Sequence, residues 1–227
     1  MRNYFLAQLG CVAYDAAYEL QQQLAQLVKS GKIPGILLLL EHPHVFTMGR
    51  RGSKTDILTP IERLQKLGVT VHETDRGGEV TYHGPGQLVG YPIVDTRTLG
   101  GPISFIRKIQ DSLIAALADF GIVGECLDRP TGVWVGESKI AAIGLHISRG
   151  ISTHGFALNV APDLSYFDHI VACGLAGSQA ASMKREAGIS DTALVAATLT
   201  RHMESIFEWR LQSTTLEELV PTLASTW

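Results

Sequence analysis

Apolar residues recur at helical spacing over residues 14–28, where Tyr14, Ala17, Tyr18, Leu24, Leu27 and Val28 share a face and Gly31 supplies a stop. A short apolar run at 36–40, bounded by Gly35 and a His-Pro step, predicts a buried strand. Polar residues broken by Pro43, Gly49 and Gly52 make 42–56 a loop. Thr59-Pro60-Ile61-Glu62 has the form of a capping box, with the threonine hydroxyl accepting from an early helical amide and Glu62 reaching back. The short helix it opens ends near Gly68, and 69–72 reads as a strand. A longer amphipathic helix begins at Ser104, carries Phe105, Ile109, Leu113, Leu117 and Phe120 on one face, and ends at Gly121.

Around this helix the pattern becomes β. Runs at 78–83 and 87–94 flank Gly84-Pro85-Gly86, and runs at 132–135, 138–147 and 152–160 are divided by Gly136-Glu137 and by 148–151. Alternation bounded by such turn residues predicts hairpins. A last helix covers about 191–209, and 216–223 adds a short one. The sequence shows no repeat, low-complexity segment or linker. These elements predict one α/β (α+β) domain over residues 1–227, with a mostly antiparallel or mixed central sheet flanked by helices.

Composition narrows the function. The formal net charge of −3 argues against a general nucleic-acid binder, which carries a basic excess. Unbroken apolar runs stay far below the roughly 20 residues of a membrane span, and the N-terminus lacks a signal-peptide core, so a cytoplasmic location is expected. Cys11, Cys126 and Cys173 are odd in number and widely spaced, which suits neither a disulfide framework nor zinc. No pair of histidines has helical HxxxH spacing, so neither a metal nor another cofactor is expected.

Three places hold candidate chemistry. Residues 76–92, RGGEVTYHGPGQLVGYP, bring paired glycines that let a backbone approach a ligand, although a glycine-rich hairpin explains them equally well. They form neither a dinucleotide fingerprint nor a Walker loop. Lys139 starts a largely buried strand; such lysines usually reach back to solvent, but one withdrawn from water can act as a base. Cys173 follows an irregular stretch and precedes Gly174, a loop position with an accessible sulfur. Cys11 and Cys126 are assigned to structure.

The 76–92 segment resembles the signature of the lipoyl(octanoyl) transferases. LEHPHVFTMGR at 40–50, GVWVGESKIAAIGLHI at 132–147, STHGFALNV at 152–160 and ACGL at 172–175 extend the resemblance over almost the whole chain. It implies the fold of the biotin and lipoate ligases. It also implies transfer of an octanoyl (or lipoyl) group from octanoyl-acyl carrier protein to a lysine of lipoyl domains, in 2-oxoacid dehydrogenases or the glycine cleavage H protein. The family's acyl-thioester cysteine matches Cys173, and the lysine that activates it matches Lys139. Its substrate-lining residues match Arg76, Gly77, Gly78, Glu79, Val80, Thr81, Tyr82, His83, Ala142, Ile143, Gly144, Gly155, Phe156 and Ala157. No metal, cofactor, nucleic acid or membrane is implied, and a monomer is expected.

The chemistry is consistent with that assignment. A thiol exchanges acyl groups with a thioester at little thermodynamic cost, and amide formation then runs downhill without ATP. A nearby ammonium stabilises the thiolate. Backbone amides around Gly77 and Gly78, or near Cys173, are candidates for binding the developing oxyanion. His83 is a candidate for orientation or proton relay, or is a hydrogen-bonded hairpin histidine. Arg50, Arg51, Lys54 and Arg149 are docking candidates for acidic partners, or ordinary solvated surface. Competing readings are an ATP-dependent ligase that would not use Cys173, a cysteine hydrolase pairing Cys173 with His154 or His169, and a non-catalytic acyl-protein binding module.

Overall fold

The computed structural model describes residues 1–127, 131–171 and 180–219. Its first half contains β1 (Arg2–Cys11), α1 (Tyr14–Lys29), β2 (Gly35–Glu41), β3 (Val45–Met48), α2 (Ile61–Lys66) and β4 (Thr70–Glu73). Then come β5 (Val80–His83), β6 (Gln87–Val94), α3 (Gly101–Ala118), β7 (Gly132–Val135), β8 (Ser138–Ser148) and β9 (Ile151–Asn159). The last described elements are α4 (Met183–Ala187), α5 (Thr192–Phe207), β10 (Trp209–Ser213) and α6 (Leu216–Leu219).

Seven strands form one mixed sheet in the order β10-β1-β2-β6-β9-β8-β7, parallel at the β10-β1-β2 end and antiparallel beyond it. Helix α1 lies on one face, where Ala17, Leu20, Leu24 and Val28 pack with Ile36, Leu38, Leu40 and Ile93. Helices α3 and α5 cover the other, where Phe105, Ile109 and Leu113 meet Leu199, Met203 and Trp209. A smaller sheet, β4-β3-β5, packs Phe46, Val80 and Tyr82 against Leu64 of α2. The expected α/β architecture is therefore present, as is the β7-β8-β9 meander.

Four local expectations are corrected. Residues 42–56 contain β3, which is buried at all four positions and pairs with β4 and β5; a run this short between a proline and a glycine has no readable period. Strands β5 and β6 do not form a hairpin. Instead His83 pairs with Val45 in the small sheet and Gln87 pairs with Asn159 in the large one, so Gly84-Pro85-Gly86 carries the chain between sheets. That crossing needs Gly86 at φ +83°, where its N–H donates to Glu41 Oε2 (2.7 Å). Thr59 does not cap α2, because its hydroxyl bonds His169 Nδ1 (2.8 Å); the capping box present is Ser53 with Asp56. Finally, Glu208 at φ +58° stops α5, and Trp209 opens strand β10 rather than extending the helix.

Candidate active site

The glycine-rich loop between the two sheets is held from behind by a buried arginine. The Arg76 guanidinium donates to the Thr47 hydroxyl and to the carbonyls of Thr47, Gly77 and Glu79. Backbone amides of Gly49, Arg50 and Arg51 donate to the carbonyls of Glu79, Arg76 and Gly78. The loop is also fixed to the large sheet, since Gly77 N–H donates to the Leu145 carbonyl (2.9 Å). That bond takes up the Gly77 amide and removes it from the oxyanion donors considered from the sequence, which also included Gly78 and the Cys173 segment.

Between this loop and strands β8 and β9 lies a cavity of about 770 Å³, within the size range of small-molecule sites. Of the residues in 76–83, all but Tyr82 line it, together with Ala142, Ile143, Gly144, Gly155, Phe156 and Ala157. Tyr82 points to the other side of β5, where it stacks on Tyr166 (5.0 Å) and its hydroxyl bonds His44 Nδ1 (2.8 Å). Alternation along β5 sends it there, because its neighbours Thr81 and His83 face the cavity. The small residues matter by backbone contact. A Cβ on Gly155 would lie 2.0 Å from the Gly90 carbonyl oxygen, and one on Gly144 2.9 Å from that of Gly77.

Lys139 lines the same cavity, with Nζ 4.9 Å from the centre of the Trp134 ring. Gly132 makes room for its stem, since a Cβ there would come within 3.3 Å of Lys139 Cδ and Cε. Cys173 lies outside the described residues. On its near side Val171 N–H donates to the Asp56 carbonyl (2.7 Å); on its far side Ala180 bridges Lys139 itself. The other two thiols, assigned to structure from the sequence, are exposed, and neither lines the cavity. Partial burial and a neighbouring carboxylate, Glu41 for Cys11 and Asp111 for Cys126, push both above the ordinary thiol value. A raised value leaves a smaller thiolate fraction at neutral pH.

Sequence reasoning missed Tyr14, Tyr91, Ile106 and Leu145 in the lining, and it gave His154 only a hydrolase role. Burial pushes the Tyr14 phenol up to about 12, against the lowering effect of Arg76, so it stays protonated. Burial holds the His154 imidazole below its usual value, and its neutral Nε2–H donates to Asp75 Oδ1 (2.7 Å). That hydrogen bond keeps the Asp75 carboxyl below the usual carboxylate range. His154 takes φ +57° within β9, an unusual conformation for a non-glycine residue; its N–H is held by Gln21 Oε1 (2.6 Å). No local pattern announces this contact, because Gln21, Asp75 and His154 are far apart in sequence. Burial first, then His42 and Arg76, also hold the His83 ring well below its ordinary value. Among the described residues no group of three or more His, Cys, Asp or Glu side chains is arranged to hold a metal.

The family model for the lipoyl protein ligase A/B catalytic domain matches residues 13–206. The chain belongs to this family. Within the lipoyl protein ligase A/B family it is similar to an octanoyltransferase of Solibacter usitatus, 46% identical over 93% of this chain and 96% of that one. A mitochondrial octanoyltransferase of Arabidopsis thaliana is 41% identical over 79% of this chain and 77% of that one. The fold is shared with a crystal structure of lipoate-protein ligase A bound with ATP (TM-score 0.77, 17% identity, 100% of this chain and 95% of that one). It is shared more distantly with the Aquifex aeolicus biotin protein ligase (TM-score 0.54, 12% identity, 91% and 69%).

Proposed function

We infer that this protein is an octanoyltransferase of protein lipoylation, moving an octanoyl group from acyl carrier protein to the lysine of a lipoyl domain. The observation that carries this reading is the pairing of octanoyltransferase relatives at 41–46% identity with a cavity that runs from the Gly77-Gly78 loop to Lys139. The ATP-bound ligase shares only the fold, at 17% identity, and so does not argue for an adenylate route.

In this reading the Cys173 thiolate attacks the thioester carbonyl of the donor, the carrier thiol departs with a proton, and an acyl-enzyme thioester forms. The acceptor amine then attacks that thioester, an amide forms, and the Cys173 thiolate is released. The Lys139 ammonium stabilises the thiolate and gives a proton to the leaving carrier thiolate; neutral afterwards, Lys139 takes a proton from the incoming amine. The raised values of Cys11 and Cys126, and their places outside the cavity, support giving the nucleophile's role to Cys173. Arg76, Val80, Thr81, Ala142, Ile143, Phe156 and their neighbours in the lining hold the acyl chain. The acceptors are lipoyl domains of 2-oxoacid dehydrogenases and the glycine cleavage H protein, met in the cytoplasm by a monomer; a dimer by light scattering would remove the last point.

Arg50 and Arg51 are exposed at the cavity lining and suit an acidic carrier surface. The double charge reversal Arg50→Glu, Arg51→Glu should raise KM for the carrier-bound donor while leaving KM for a small octanoyl thioester unchanged. An equal rise for both donors would argue against docking.

Intact mass after mixing with octanoyl-acyl carrier protein tests the central claim. Wild type should gain one octanoyl group and lose it on addition of apo-lipoyl domain, whereas Cys173→Ala should gain none. An unmodified wild type that still octanoylates the domain would remove Cys173 from the reaction.

A further inference from the structure

Behind the cavity lining, Arg76 and His83 join a line of buried polar side chains whose other members, Thr47, Gln87 and Asn159, have no part in the transfer steps. Arg76 donates to the Thr47 hydroxyl oxygen through Nε (3.1 Å) and Nη2 (2.9 Å). A hydroxyl has two acceptor sites and one proton. A guanidinium only donates, so Arg76 cannot take the hydroxyl proton, which is left to point at His83 Nε2, 3.3 Å away. On the other side of the ring, His83 Nδ1 lies 2.8 Å from Gln87 Oε1. Gln87 Nε2 lies 2.8 Å from Asn159 Oδ1, and Asn159 Nδ2 lies 2.9 Å from the Ala181 carbonyl oxygen.

The far end fixes the same direction independently. A carbonyl only accepts, so Asn159 Nδ2 donates to Ala181 and Asn159 Oδ1 is left to accept. Gln87 Nε2 donates to that oxygen and to the Tyr82 carbonyl (3.2 Å), which leaves Gln87 Oε1 to accept from the histidine. The Gln87 end thus requires a proton on Nδ1, the Thr47 hydroxyl needs a bare Nε2 to accept its proton, and the two together define a neutral His83 with its proton on Nδ1. The line is shut away from water, with Thr47 at 0%, Gln87 at 2% and Asn159 at 4% exposure, so a reversed member would leave a buried polar atom facing its like. Ala181 N–H in turn donates to the Lys139 carbonyl (2.9 Å).

We propose that this line is one directed hydrogen-bond chain coupling the Arg76–Gly78 loop to the backbone of Lys139 and to Ala180 and Ala181, which follow the Cys173 segment, with Gln87 and Asn159 as positioning residues for acyl transfer. Its kinetic consequence rests on the octanoyl-transfer reading; the tautomer of His83 does not. Asn159→Asp and Gln87→Glu preserve side-chain shape but remove the donor at each link, so they separate the direction of the chain from packing.

The test begins on the wild-type protein with ¹⁵N-labelled histidine, His83 being assigned by its loss in His83→Gln. At pH 7 its ring nitrogens should report a protonated Nδ1 and an unprotonated Nε2. An Nε2–H tautomer or an imidazolium would overturn the chain whatever the enzyme transfers, so this failure is distinct from failure of the octanoyl reading. In the transfer assay, Asn159→Asp and Gln87→Glu should lower kcat roughly ten- to a hundredfold with KM for the donor little changed. A folded Asn159→Asp protein with wild-type kcat would overturn the positioning role, and if the variants do not fold, the wild-type tautomer decides.

Discussion

Gly90 and Phe156 face each other across β6 and β9, and a Cβ on Gly90 would lie 2.0 Å from the Phe156 ring. The absent side chain leaves room for the tip of that ring, which lines the cavity. The next residue along β9, Gly155, is crowded by backbone rather than by a side chain that can move. Gly155→Ala should therefore destabilise the protein by about 1–3 kcal/mol, as overpacking does, and slow octanoyl loading; urea midpoints and intact mass measure the two effects. Tyr82 makes the contrast. Tyr82→Phe removes only the hydroxyl bond to His44, so it should lose about 1 kcal/mol of stability while KM for the octanoyl donor stays at its wild-type value. A raised KM would return Tyr82 to the substrate site.

Among the elements, those with local causes could be read directly. Helix α1 shows its apolar stripe, and the β7-β8-β9 meander shows its alternation and turns. Strand β10 could not be read, because its reason for existing is a distant one. Trp209 stacks on Phe207 (4.2 Å) and against Tyr4 (4.9 Å), and β10 pairs with β1 at the opposite end of the sequence. Helix pattern and strand pattern meet at Glu208, whose left-handed φ is set by the fold and not by glycine. Trp209→Ala should cost about 3–5 kcal/mol by emptying this fully buried site; chemical denaturation checks it, and a loss below 1 kcal/mol would mean β10 is dispensable.

For the molecule as a whole, the buried histidines set the response to acid. Burial lowers His42 to about 4 from 6.5, and His83 and His154 are lowered as well. Each is depressed in the folded state, so as pH falls below 6.5 the unfolded chain binds more protons and stability drops. His42 alone should account for about 2 kcal/mol lost between pH 7 and pH 5. Urea denaturation of wild type and His42→Gln at both pH values measures this as the difference in their losses; equal losses would show that His42 is not held neutral. Asp75, also depressed, acts in a lower window, where protonation of its carboxylate removes the bond to His154.

The sequence by itself determined the long helices α1, α3 and α5, the meander, the glycine-rich loop and the residue types brought to the cavity, because periodicity, turn chemistry and motif are properties of neighbours along a chain. Only the tertiary structure decided that Gly84-Pro85-Gly86 joins two sheets, that Tyr82 faces away from the cavity, and that the Gly77 amide is already taken. It also decided that Asp75 meets His154 and that Thr47, His83, Gln87 and Asn159 form one line. These depend on which strands pair and in what register. Pairing is chosen by burial and hydrogen-bond satisfaction across long separations, which no local pattern records.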